Sequence, residues 1–157
     1  MRRDYFELDV SNVDWVDGSG SPEKPNVAID FAGPADELRD RLTDNTGELL
    51  DAEGTDAGFR LTDDVDDPDA SGVVSVTNRI TGDFVLELNV DAEDVLQFVR
   101  AARRYGESTD DGDGRYRVEI RVDDGVLAVY EKATFLVYSS DGDLLRGHSL
   151  IPSGVEL

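Results

Sequence analysis

Apolar and polar residues alternate along most of this chain, and twice the spacing switches from two residues to three and four. Alternation over residues 5–10 reads as a strand, and residues 12–16 as a second short strand or a bend. A Gly/Ser-rich loop follows at 17–22. Residues 26–31 are a strand with Val27, Ile29 and Phe31 on one face. Pro34 then opens a helix. Ala35, Leu38 and Leu42 form its apolar stripe, Asp36 and Glu37 occupy the dipole-favoured first turn, and Glu37 can pair with Arg41. The helix fades at 44–47. Residues 49–52 and 58–62 are short strand candidates, and 63–69 is a charged loop.

The next segment predicts a hairpin. Val74, Val76, Asn78 and Ile80 share one face, Thr81 and Gly82 turn the chain, and Phe84, Leu86, Leu88 and Val90 return on the same face. A second helix spans about 92–105, with Asp91 as its cap and Val95, Phe98, Val99, Ala102 and Tyr105 as its buried stripe. Gly106 marks its stop, and 107–114 is a polar loop. The remainder reads as an antiparallel meander. Its first strand carries Tyr116, Val118, Ile120 and Val122, with a turn at 123–125. Central strands follow at 126–130 and 133–138, then a turn at Asp141 and Gly142, and 144–151 closes the sheet.

These elements predict one α+β domain over residues 1–157, mainly antiparallel sheet with two helices. A strand, a helix and several strands occur twice, from Asn26 and from Asp83. That doubled order resembles the unit of sliding-clamp domains. A chain of 157 residues can bury a substantial core. Neither disulfides nor cysteine-held metals enter, because there is no cysteine.

Charge changes the picture more than any motif does. There are 36 acidic residues against 15 basic ones, for a net charge of -21. Self-repulsion on that scale works against a compact state. The clean strand and helix patterns nevertheless argue against disorder. Concentrated salt reconciles the two, since at 1 M the screening length shrinks to roughly 3 Å. Only Lys24 and Lys132 are lysines among the basic residues. An acidic surface with arginine kept and lysine avoided fits a protein of a salt-rich cytoplasm. The start carries two arginines and no apolar run, which does not suit a secretory leader.

Candidate chemistry is sparse. His148 is the single histidine and has no nucleophile motif around it. The acidic run at 63–69 fails as a calcium loop because Pro68 falls where a ligand is needed. The run at 110–114 fails because Arg115 and Tyr116 take later ligand positions. No phosphate loop or dinucleotide fingerprint is present, and no cofactor is expected. Basic residues are unevenly spread: residues 1–96 hold 25 acids and seven bases, residues 97–157 hold 11 acids and eight bases. Arg100, Arg103 and Arg104 lie opposite the buried stripe of the second helix, and Arg115, Arg117 and Arg121 alternate outward on the next strand. These six define an expected partner-contact face. Their structural role would be to meet the helix dipole and cross-strand acids. Trp15, Tyr5 and Phe6 are expected to close the core.

Four stretches resemble a family of small haloarchaeal proteins of unknown function: residues 1–6 (MRRDYF), 12–16 (NVDWV), 76–87 (VTNRITGDFVLE) and 98–106 (FVRAARRYG). The resemblance covers most of the chain and implies life in high salt, but no activity. The expectation is a cytoplasmic, non-enzymatic protein-interaction or regulatory module, binding another protein or itself. A nucleic-acid accessory module is the alternative, and a small-ligand or catalytic domain a further one. High salt disfavours the nucleic-acid reading, because phosphate contacts weaken steeply with ionic strength.

Thermal unfolding followed by circular dichroism should show a higher midpoint in molar KCl than in dilute buffer. Equal midpoints would remove the salt reading.

Overall fold

The computed structural model describes residues 5–18, 20–108, 115–122 and 125–151. Among the described residues, eight strands form two four-stranded sheets. The strands are β1 (Phe6–Ser11), β2 (Asn26–Phe31), β3 (Thr55–Leu61), β4 (Ser71–Asn78), β5 (Phe84–Asp91), β6 (Tyr116–Val122), β7 (Gly125–Lys132) and β8 (Leu136–Tyr138). Helix α1 is Ala35–Arg41 and helix α2 is Ala92–Ser108. The first sheet runs β1-β2-β6-β7 and the second β5-β4-β3-β8. Each contains one parallel pairing, β2 with β6 and β3 with β8; the other pairings are antiparallel. The α+β class stands. No helix among the described residues is long and apolar enough to cross a membrane.

Helix α2 joins the two sheets. Of the expected stripe, Val95, Phe98, Val99 and Ala102 are buried as the 3.6-residue period requires; Tyr105 is only half-buried, and Ala101 is buried in addition. The Phe98 ring meets Tyr116 of β6 edge-on at 5.0 Å and Phe135, just before β8, at 5.0 Å. Such T-shaped contacts add to the gain from apolar burial. Tyr116 is fully buried, and its hydroxyl donates to Thr134 O at 2.5 Å. Burial, and secondarily the charge of Asp56, pushes its ionisation far above the ordinary range.

Of the two readings of segment 12–16 the bend holds, ending in a 3-10 turn, Asp14–Asp17. Several other expectations need correction. Pro34 caps α1 one residue before its first helical position. Residues 49–52 give one isolated bridge, Thr43 with Leu49, because the chain then tightens into the 3-10 turn Ala52–Gly54, where Asp51 Oδ1 accepts from Gly54 N. Gly106 does not stop α2, which continues to Ser108. The Arg115 side chain lies over it, so that a Cβ there would stand 2.7 Å from Arg115 Nε. The predicted polar loop therefore starts after that helix end, and its remainder, 109–114, lies outside the described residues, as does the turn at 123–124.

The β4–β5 hairpin forms, but its tip differs. Asn78 Oδ1 accepts from Ile80 N and Thr81 N, and Asn78 N donates to Asp83 O. The turn thus begins at Asn78 rather than Thr81, and Ile80 leaves the strand, 85% exposed. Gly82 takes φ of 78°, as a turn glycine can. A register break beside Val76 places Leu86 opposite Val76 and Phe84 opposite Thr77. Val85 is the extra residue. The bulge turns Val85 and Leu86 inward and puts Phe84 outside, 55% exposed.

The C-terminal strands are not central. β7 and β8 each end a sheet, and after β7 the chain crosses from the first sheet to the second. Residues 144–151 add only the bridges Tyr138–Leu144 and Phe135–Leu150, with the 3-10 turn Arg146–His148 between them. The doubled order is unequal as well. The helices have 7 and 17 residues, and the strands after α1 share one sheet whereas those after α2 divide between two.

Phe98→Ala should cost about 3–5 kcal/mol of stability, read as a lower urea midpoint. A loss near about 1 kcal/mol, ordinary for a point substitution, would show that the aromatic junction is not what joins the sheets.

Candidate functional site

The six arginines of the expected contact face are held in different places. Arg103 reaches off α2 to the C-terminal segment and donates to Ser149 O at 2.6 Å and Gly147 O at 3.3 Å. Ser149 is itself buried and locks that segment, donating to Leu145 O and accepting from Val137 N. Arg104 donates to Val16 O at 2.8 Å. Arg115 packs along Gly106. Arg117 pairs with Glu131 at 3.0 Å, and Arg121 with Glu119 at 2.8 Å. The hydrogen bond to Glu119 holds the Arg121 guanidinium more firmly protonated, with Asp30 and Asp9 adding attraction across the sheet. Arg100 is exposed on α2. Four of the six therefore hold oxygen atoms of this chain.

His148 is exposed in its 3-10 turn. In the acidic loop, Asp64 and Asp67 side chains accept from Asp66 N and Asp69 N, and Asp63 accepts from Ser71 N; these carboxylates shape the backbone. Among the described residues no group of three or more His, Asp or Glu is placed to hold a metal. Phe6 is buried, Tyr5 meets Phe31 edge-on at 6.0 Å, and Trp15 Nε1 donates to Asn12 O; all three pack on the core.

A groove beside the hairpin tip brings together residues that sequence reasoning placed elsewhere. It is a cleft of about 670 Å³ between the end of α1 and the β4–β5 turn. Leu50 and Val85, both buried, line it below, and Ile80 and Phe84 stand exposed beside it. Among the described residues Asp40, Asp44 and Asp83 line the rim with one cation, Arg41, which lies 4.0 Å from Glu37. The Asp44 carboxylate accepts from Thr46 Oγ1 at 2.6 Å, Thr46 N at 2.8 Å and Glu48 N at 3.1 Å. Those bonds, the Thr46 hydroxyl first, hold its carboxyl below the usual range, so it stays ionised. The signal in the sequence was Asn78 followed by Gly82, which permits a wide turn. Reading Ile80 and Phe84 as strand-face residues hid them.

Two mixed four-stranded sheets bridged by one long amphipathic helix, with an acid-rimmed apolar groove at a hairpin tip, define the class of this domain. The chain belongs to the family of unknown function DUF5793, whose model matches residues 1–157. No curated protein and no solved structure matches it.

Arg103→Ala should speed amide hydrogen exchange at Val137 and Leu150, the backbone that Ser149 secures, while Arg100→Ala leaves both unchanged. Equal rates in the two variants would show that Arg103 does not brace the C-terminal segment.

Proposed function

We propose that this chain is a non-enzymatic protein-interaction module that docks a basic, apolar segment of a partner in the groove between α1 and the β4–β5 tip. The observation that carries this is the pairing of Ile80 and Phe84, 85% and 55% exposed, on an acid-rich surface. Covering apolar area gains about 25 cal/mol per Å², and salt screening does not weaken that gain. Asp40, Asp44 and Asp83 on the rim complement a partner's lysine or arginine. The six arginines support a partner face less well, because four already bind this chain's own oxygens. The same engagement weakens the case for a nucleic-acid accessory, which would need those guanidinium groups for phosphate. The acid excess and scarce lysine support placing the module in a salt-rich archaeal cytoplasm.

Pull-downs in molar salt decide between the two faces. Ile80→Asp with Phe84→Asp should abolish recovery of a specific partner, and charge reversal of Arg100, Arg103 and Arg104 should leave it intact. The opposite pattern would move docking to the arginine face. Recovery unaffected by either set would sink the groove and the arginine face together.

A further inference from the structure

We infer that the outer face of the second sheet carries a second site, independent of the groove, for a small oxyanion such as a carboxylate or phosphate group on a metabolite-sized ligand. Strand alternation turns Phe59, Val74, Val76 and Val137 into the core, so Gly58, Ser75, Thr77, Leu136 and Tyr138 face away from it. A trough of about 510 Å³ opens there. That is within the volume range of small-molecule sites. It opens where strand residues are small. Gly58 lies mid-strand opposite Leu136, and a Cβ at Gly58 would come within 3.1 Å of Leu136 O.

The chemistry lining the trough is donor-rich, which is unusual for a chain of net charge -21. Two cations reach it from outside the second sheet's strands, Arg79 just after β4 and Lys132 at the end of β7. Hydroxyls of Ser75, Thr77, Thr134 and Tyr138 complete the polar lining. Among the described residues the one carboxylate lining it is Asp56, and its Oδ1 already accepts from Arg79 Nε at 2.9 Å and Nη2 at 2.6 Å. Those bonds orient the guanidinium, and among the described residues Nη1 has no acceptor. Lys132 is only 8% exposed, and its ammonium donates to Ala52 O at 2.7 Å and Thr55 O at 2.6 Å. An ammonium has three donors, so one remains.

Both partners of Lys132 are neutral carbonyls. Burial, and then the Arg79 charge, pull its pKa down; Asp56 and Asp51 only partly compensate. Asp51 and Glu53 act on these cations from outside the trough lining. An oxyanion between Arg79 and Lys132 would relieve their repulsion and supply acceptors to the hydroxyls. A cation or an apolar ligand would do neither.

The test titrates the full chain in molar KCl with two probes, inorganic phosphate and succinate, followed by amide chemical shifts. One probe should give saturable shifts centred on Ser75, Thr77 and Thr134, and the one that binds identifies the oxyanion. Arg79→Gln should weaken binding at least tenfold, equivalent to about 1.4 kcal/mol, and Ser75→Leu, which fills the trough, should abolish it with the circular dichroism unchanged. Ile80→Asp should leave it untouched, which separates this site from the groove. Shifts from neither probe, or shifts that persist in Ser75→Leu, would overturn the proposal.

Discussion

The aromatic junction of Phe98, Tyr116 and Phe135 is the contact on which the rest of the structure depends. Two four-stranded sheets with different strand sets meet through it, because Phe98 of α2 touches one ring from each side at 5.0 Å. Tyr116 and Phe135 also meet each other, edge-on at 6.1 Å. The buried Tyr116 hydroxyl reaches Thr134 O and so fixes the chain where it leaves the first sheet for the second. An unpaired phenol there would cost about 1–3 kcal/mol, so the hydrogen bond and the ring packing have to form together. The same crossing positions Thr134 and Leu136 on the trough, and Lys132 just before it.

Around that core the surface is organised by charge that has few cations to meet it. Exposed pairs such as Arg117 with Glu131 and Arg79 with Asp56 are worth about 0–1 kcal/mol each. They set orientation more than stability. Elsewhere acids face acids: the Asp94 carboxyl is raised by partial burial first and then by Asp91 and Glu93. Screening by dissolved ions acts on contacts of that second kind. It leaves apolar contact at Ile80 and Phe84 unweakened, which is why we propose the groove rather than the arginines for docking.

The groove and the trough occupy different parts of the hairpin's neighbourhood and ask for opposite chemistry. Three carboxylates rim the groove over an apolar base, which suits a basic, apolar peptide. Hydroxyls and two cations line the trough, which suits an oxyanion. Thr77 of β4 lies opposite Phe84 of β5, so one strand pairing supports a residue of each site.

Local patterning alone determined a good part of this protein. The limits of β2 and β6, most of the buried stripe of α2 and the existence of the β4–β5 hairpin follow from local spacing and turn signals, and the acid excess from composition alone. The tertiary structure decided the rest. Parallel pairing of β2 with β6 and β3 with β8 joins residues far apart in the chain, and no turn signal encodes it. The bulge at Val85 changed the facing only at the start of β5, turning Val85 inward and leaving Phe84 exposed. Arginines that looked like a face by alternation became braces and ion pairs once Ser149, Val16, Glu131 and Glu119 arrived beside them. A side chain's spacing sets the direction in which it points, but only the folded chain sets what it meets there.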